Sequence, residues 1–148
     1  MYIGTSQLTI DAKGRFLFPA KYRDALHVRC EGALVVAHEL QGCLAIYTQD
    51  YWQKKAEVYR ELPEDSQAFV AHFMSTSEPI GLDSSGRLAL TPELRKLIGL
   101  EAGAAVLKGV GDYFELWTQS DSENELAQLK LLAKTGKPES LRNVRIPR

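Results

Sequence analysis

Residues Leu8 to Leu26 read LTIDAKGRFLFPAKYRDAL, and residues Ile80 to Ile98 read IGLDSSGRLALTPELRKLI. Asp11, Gly14, Arg15 and Arg23 of the first stretch return as Asp83, Gly86, Arg87 and Arg95 of the second. The apolar positions Leu8, Ile10, Phe16 and Phe18 return as Ile80, Leu82, Leu88 and Leu90. A self-match of this length is a duplication, and it decides how the rest of the chain is read. Each copy has the pattern of a hairpin followed by a helix. Alternating residues lead into Asp11-Ala12-Lys13-Gly14, and alternation resumes at Arg15. Asp at the first position and Gly at the fourth suit a type I turn, with Gly free to take positive φ in a bulge. Asp83-Ser84-Ser85-Gly86 repeats that chemistry.

Successive strand side chains point to opposite faces, so parity sorts the residues after each turn. Phe16 and Phe18 share one face, as do Leu88 and Leu90, and that face is expected in the core. Arg15 and Arg87 fall on the other face and are expected in solvent at equivalent places. An exposed arginine beside a turn is commonly only a solubilising residue. Here the arginine is kept in both copies while its neighbour has changed, Lys13 in one and Ser85 in the other. Arginine presents a planar fork of donors that fits phosphate or the major-groove edge of guanine. Asp11 and Asp83 are read as holding their own turns through bonds to backbone N–H groups, not as a catalytic carboxylate pair.

These residues carry a resemblance to a known family. The duplicated Asp-x-x-Gly-Arg, each copy followed by an apolar strand, a proline and a Leu/Tyr-Arg helix, resembles the MraZ family of bacterial transcriptional regulators. That family belongs to the AbrB-like, swapped-hairpin superfamily of DNA-binding proteins. Ile98 to Leu107, IGLEAGAAVL, is similar to the helix-to-strand passage of AbrB-like domains. The likeness runs from Met1-Tyr2-Ile3-Gly4 to Glu115-Leu116-Trp117. The copies depart from each other in two places: Pro19 directly follows its strand, whereas Thr91 precedes Pro92, and Ser85 replaces Lys13.

The resemblance implies an α+β fold of two tandem AbrB-like, swapped-hairpin β-barrel repeats with short helices, related by a pseudo-twofold. It also implies a sequence-specific DNA-binding regulator, usually a repressor, acting on the division and cell-wall gene cluster. Such a protein binds double-stranded promoter repeats as a ring-shaped homo-oligomer in the cytoplasm, associated with the nucleoid. Arg15 and Arg87, reinforced by Lys13, are the implied DNA contacts, with Asp11, Gly14, Asp83 and Gly86 forming the turns that carry them. The alternative is an oligomeric scaffold or interaction module using the same fold without touching DNA, which would have no need of the duplicated arginine.

With 148 residues the chain can build one core, whereas either half alone would be marginal. A shared, interleaved core is the expected solution. A hydrophobic fraction of 45% argues against wholesale disorder. A net charge of −1 is not that of a typical nucleic-acid binder, so any DNA contact must rest on segregated charge. Lys13, Arg15, Lys21, Arg23 and Arg29 do gather near the front, and Asp121, Glu123 and Glu125 near the back. A ring answers the same difficulty, because repeated weak contacts gain through effective concentration. No apolar run reaches the length of a membrane span, and no signal-peptide pattern opens the chain. Cys30 and Cys43 are read as buried free thiols. His27, His38 and His72 show no ligand spacing with them, so neither a metal nor a cofactor is expected, and no nucleophile–base set suggests an enzyme.

Two repeats are expected, 1–76 and 77–148, divided at Ser75-Thr76-Ser77-Glu78-Pro79. Met1 to Ser6 reads as a leading edge strand or arm, and hairpins are expected over Gln7 to Phe18 and Pro79 to Leu90. Pro19 opens a helix with Tyr22, Ala25 and Leu26 on one face. A further hairpin joins Ala33–Ala37 to Cys43–Tyr47. A helix capped by Thr48 or Asp50 and stopped by Pro63 places Trp52, Ala56 and Tyr59 or Val58 inward, and another, beginning at Glu64-Asp65-Ser66, has Ala68, Phe69, Phe73 and Met74 as its apolar residues. In the second half Thr91 caps a helix lined by Leu94, Leu97 and Ile98 and ended by Gly99. A last hairpin joins Ala105–Lys108 to Tyr113–Trp117. A helix from Ser120 or Ser122 to Leu132 follows, and then a basic tail with Arg142, Arg145 and Arg148, read as mobile. Arg23 and Arg95 are read as structural or interface residues.

Overall fold

The two Asp-to-Gly turns form as their chemistry demands, but the strands each of them joins do not pair with one another. The computed structural model describes residues 1–147, so Arg148 of the basic tail lies outside the described residues. The first half runs β1 (Tyr2–Ile10), β2 (Arg15–Leu17), α1 (Ala20–Cys30), β3 (Ala33–Glu39), β4 (Cys43–Thr48), α2 (Gln49–Arg60) and α3 (Gln67–Thr76). The second runs β5 (Glu78–Gly81), β6 (Arg87–Ala89), α4 (Pro92–Ile98), β7 (Gly103–Gly111), β8 (Phe114–Thr118), α5 (Gln119–Lys134) and α6 (Glu139–Arg142).

Strand β1 pairs along its whole length with β7 of the second half, Tyr2 opposite Gly111 and Ile10 opposite Gly103. In return β5 pairs with β3 of the first half, Ile80 opposite Leu34. The short strands exchange too: β2 pairs with β6, Phe16 opposite Leu88. The expected hairpins over Gln7–Phe18 and Pro79–Leu90 are therefore swapped. Each keeps its turn, closed by the Asp11 N–H to Arg15 carbonyl bond of 2.9 Å and its counterpart from Asp83 to Arg87 at 3.0 Å. Each then sends both arms to the other half. The physical reason is size, since neither half buries enough apolar surface alone and exchanging strands merges two marginal cores into one. The separate leading arm expected over Met1–Ser6 is absorbed into β1 for the same reason.

The result is a six-stranded antiparallel sheet in the order β1-β7-β8-β4-β3-β5, which reads alike from either end once the halves are exchanged. Ala45 faces Glu115 across β4 and β8, and Phe16 faces Leu88 across β2 and β6, which puts these pairs about the pseudo-twofold. The main core draws on both halves: Ile10, Phe16, Phe18, Tyr22 and Leu26 pack with Leu88, Leu90, Leu94, Ile98 and Phe114. Phe18 and Phe114 meet edge to face at 5.0 Å, an arrangement that aromatic quadrupoles favour.

Helix ends follow local chemistry. Thr48, Thr91 and Thr118 each accept a bond from the backbone N–H three residues on, capping α2, α4 and α5. The last cap is thus Thr118, not Ser120 or Ser122, because Thr118 repeats the strand-to-helix step of Thr48, and α5 runs on to Lys134. Pro19 sits at the cap of α1 without a side-chain bond, one place before the position where Pro92 stands in α4. Gly99 ends α4 in the left-handed region as its sequence implies.

Ala25 and Leu97, expected inward, face solvent in both copies. Burial falls instead on Tyr22 and Leu26, and on Leu94 and Ile98, in each case four residues apart. Phe69 and Val58 also point outward, the inner face of α3 being Val70 and Phe73. Cys43 is buried and free, whereas Cys30 is only half-buried and donates its thiol to the Leu26 carbonyl. The halves differ in the helices that follow β4 and β8. In the first, α3 packs Phe73 against Tyr47, beside Trp52 and Tyr59 of α2. In the second, α6 and the residues around it are exposed, and α5 carries no second helix.

Candidate nucleic-acid interface

Each turn is built around its aspartate. Asp11 Oδ1 accepts from the backbone N–H of Lys13 and of Arg15, both at 2.9 Å, and Asp83 Oδ1 accepts from those of Ser85 and Arg87 at 2.9 Å. The Gly14 and Gly86 N–H groups close the turns onto the Asp11 and Asp83 carbonyls at 3.0 Å. Both glycines sit at positive φ, +81° and +86°, where a Cβ is strained. The Arg15 backbone bond, more than any other cause, holds the Asp11 carboxyl below the ordinary carboxylate range, and the Arg87 backbone bond does the same for Asp83. The aspartates are turn-holders.

Beyond the turns, β2 and β6 form a two-stranded ribbon. Its inner face is Phe16 and Leu88; its outer face is Arg15 and Leu17 on one strand and Arg87 and Ala89 on the other. Arg15 stands opposite Ala89, and Arg87 opposite Leu17. The two arginines are therefore diagonal neighbours, which antiparallel geometry sets about 7–8 Å apart at the backbone. One turn stands at each end of the ribbon, with Lys13 exposed beside Arg15. The copies orient their arginines differently. Arg15 Nε donates to Asp11 Oδ2 at 2.9 Å, whereas Arg87 donates to Ser85 Oγ at 3.1 Å. Arg15 is thus ion-paired with the aspartate of its own turn, and Arg87 is not.

Arg23 and Arg95 have crossed between halves. The side chain of Arg95, from the second half, lies against Gly14 of the first, and that of Arg23 lies against Gly86 of the second. Among the described residues the ion pairs are Arg15–Asp11, Lys55–Glu39 and Lys108–Glu125. Lys13, Arg87, Arg23 and Arg95 therefore have no carboxylate partner there. Lys13, Arg15, Arg87, Arg23 and Arg95 thus stand at the same end of the molecule as the turn residues Asp11 and Asp83.

The remaining polar groups are structural. Lys55 is enclosed by Tyr47, Tyr59, Phe73 and Tyr113, with its ammonium 4.9 to 5.5 Å from their ring centres. It donates to Tyr47 and Glu39. Burial, aided by the Glu39 bond, pushes the Tyr47 phenol far up, and burial takes that of Tyr113 to about 12. His38 Nδ1 and His72 Nε2 share a hydrogen bond of 2.7 Å.

Comparison with known proteins bears on the same repeat. The sequence matches the family described as "MraZ protein, putative antitoxin-like" twice, over residues 1–69 and 73–141. The second match begins 72 residues after the first (73 − 1), the same step that separates Asp11 from Asp83 (83 − 11). A protein of Burkholderia vietnamiensis named transcriptional regulator MraZ is 37% identical over 97% of this chain and 98% of its own length. Its namesakes in Burkholderia multivorans and Burkholderia ambifaria are 37% and 36% identical over the same shares.

The chain belongs to the MraZ family.

Within this MraZ fold the turn and ribbon residues singled out from sequence are brought to one end of the molecule. What sequence reasoning missed is which residues meet across the exchange. Arg15 and Arg87 share one ribbon instead of tipping two hairpins, and Arg23 and Arg95 serve the turns of the opposite half. The signal was present, in that Gly14 with Arg23 and Gly86 with Arg95 recur together. Only the strand exchange shows which arginine meets which glycine. Leu17 was passed over altogether.

Proposed function

We propose that this MraZ-family chain is a sequence-specific regulator of transcription that grips double-stranded promoter DNA through the β2–β6 ribbon. The single observation that carries the reading is the outward pair Arg15 and Arg87, one from each repeat, on a two-stranded ribbon whose outer face otherwise holds Leu17 and Ala89. A ribbon of this kind fits the major groove, where arginine bonds guanine or, at the rim, phosphate. Lys13 adds a phosphate contact at the Arg15 end. The names borne by its relatives favour regulation of transcription, and the family likeness favours repression at the division and cell-wall gene cluster, in the cytoplasm on the nucleoid.

We infer further that copies join head to tail into a ring. Leu126, Leu129, Leu132 and Ala133 share one side of α5, and all are exposed. The first half offers a different apolar surface: Leu40, Leu62 and Phe69, all exposed, border a groove between α2, α3 and the β3–β4 turn. Two unlike patches on different halves favour a heterologous contact, which makes rings where the rotation closes.

The test is a gel shift with purified protein and the promoter DNA preceding its own coding sequence. A retarded band that Arg15→Ala and Arg87→Ala weaken supports the proposal. A folded oligomer that leaves the DNA unshifted favours the scaffold reading, which the apolar patches alone would satisfy.

A further inference from the structure

The outward face of the ribbon holds four side chains, and only two of them are cations. Leu17 stands on it 45% exposed, in the same row as Arg15 and directly opposite Arg87. The Phe18 N–H to Gly86 carbonyl bond and the Leu90 N–H to Gly14 carbonyl bond, both 2.9 Å, fix the ladder's alternation. By that alternation Leu17/Arg87 and Arg15/Ala89 are non-hydrogen-bonded pairs, whose Cα atoms approach to about 4.5 Å with side chains close together. Leucine and arginine therefore project side by side from the ribbon.

The pseudo-twofold relates Leu17 to Ala89 and Lys13 to Ser85, just as it relates Arg15 to Arg87. The ends of the ribbon are thus chemically unlike. One offers Lys13, Arg15 and the single methyl of Ala89. The other offers Ser85, Arg87 and the branched apolar side chain of Leu17. A leucine gains nothing from phosphate or from water, whereas in the major groove there is one apolar feature to meet, the 5-methyl group of thymine. Base steps are about 3.4 Å apart along a strand, so side chains paired across the ribbon address neighbouring base pairs.

We propose that Leu17 reads the 5-methyl group of a thymine next to the base pair that Arg87 engages, so that the two ends of the ribbon recognise different bases. The inference rests on the DNA-binding reading above and is separable from it by experiment. The promoter fragment preceding the chain's own coding sequence is amplified once with thymidine triphosphate and once with deoxyuridine triphosphate. The second product lacks every 5-methyl group and keeps every Watson–Crick pair. Binding of the full-length protein to both is measured by fluorescence anisotropy.

Wild-type protein is expected to bind the thymine fragment about four-fold more tightly for each methyl group that Leu17 covers. Leu17→Ser and Leu17→Gln are expected to bind both fragments alike, with the affinity wild type shows for the uracil fragment. Ala89→Ser is expected to keep the wild-type ratio. Equal binding of both fragments by wild type overturns the inference and leaves the DNA-binding reading standing. A thymine preference that survives intact in folded Leu17→Ser and Leu17→Gln overturns it too. Wild-type protein that binds neither fragment overturns both readings. Equal binding by wild type involves no substitution, so it overturns the inference even where a variant fails to fold, and the second of the two Leu17 variants covers misfolding of the first.

Discussion

The guanidinium of Arg95 covers Gly14 so closely that a Cβ on that glycine would stand 2.6 Å from Arg95 Nε and 2.8 Å from the Leu90 carbonyl oxygen. The mirror contact sets Arg23 over Gly86, where a Cβ would collide with the aliphatic part of the arginine alone. Both glycines also sit at positive φ. Alanine at Gly86 is expected to cost about 1–2 kcal/mol, the strain of a left-handed residue, because the Arg23 side chain can swing aside. Alanine at Gly14 is expected to cost more, since a backbone carbonyl cannot yield as a flexible side chain does. Urea melts of the two variants check the order, and equal midpoints would show that φ alone sets the requirement.

That contact also marks how far the sequence could be read. The faces of the duplicated strands were legible because strand parity is strict: Phe16, Phe18, Leu88 and Leu90 are inside, and Arg15 and Arg87 outside. The turns were legible because aspartate and glycine have few other reasons to stand three apart before an alternating run. Partner choice was not legible in the residues themselves. Leu8 and Ile10 are equally apolar whichever strand they lie against, and a local hairpin satisfies their pattern as well as an exchanged one. The exchange is decided by the total core that two short halves can bury, which no single stretch encodes. The inward place of Tyr22 with Leu26, in preference to Ala25, likewise depends on the angle at which α1 meets the sheet. His38 and His72 meet only because α3 docks on β3.

The exposed leucines of α5 give an assembly prediction. Leu129→Glu puts a charge in the middle of the apolar stripe, at a residue 54% exposed in the single chain. The melting temperature of the isolated fold is expected to change little, as for surface substitutions generally. Light scattering is expected to fall from a multiple of the 16.5 kDa chain mass toward that mass itself. Wild-type protein scattering as a single chain at micromolar concentration would remove the ring and its avidity together.

Lowering the pH should loosen α3. Burial first, and then the neighbouring His72, hold the His38 imidazole below its ordinary pKa, against the opposing pull of Glu39. A base with a depressed folded pKa takes up its proton later in the folded than in the unfolded chain. Its contribution to stability is therefore complete above about 6.5 and is lost as pH falls through that value towards the folded one. A second proton on the pair also leaves two donors facing across 2.7 Å. Thermal melts are expected to drop as pH is lowered through this window, and His38→Gln is expected to flatten the drop. An unchanged slope in that variant would assign the effect to other groups.

The arginines give the decisive prediction. Neither Arg15 nor Arg87 reaches the core, and the Arg15–Asp11 pair is an exposed ion pair, screened by solvent and of little weight in stability. Alanine at either position is therefore expected to leave folding within about 0.5 kcal/mol of wild type, and assembly unchanged. DNA affinity is expected to fall by about 1–3 kcal/mol per site for each bidentate arginine–base pairing removed, and the deficit repeats in every engaged subunit. The kind of bond shows in the salt dependence. Removing a phosphate bond shrinks the slope of log K against log salt by about 0.9, whereas removing a guanine bond leaves the slope and relaxes operator preference. Arg15→Ala is expected to cost more than Arg87→Ala, because Lys13 supports Arg15 where Ser85 cannot support Arg87. The Asp11 pairing works the other way, since the DNA must compete for an arginine already engaged. Asp11→Asn, which keeps a side-chain acceptor for the turn but removes the charge, separates the two effects. It is expected to tighten DNA binding through Arg15 and to do nothing in an Arg15→Ala background. Tightening that persists without Arg15 would mean that Asp11 opposes DNA by its own charge, not by holding the arginine.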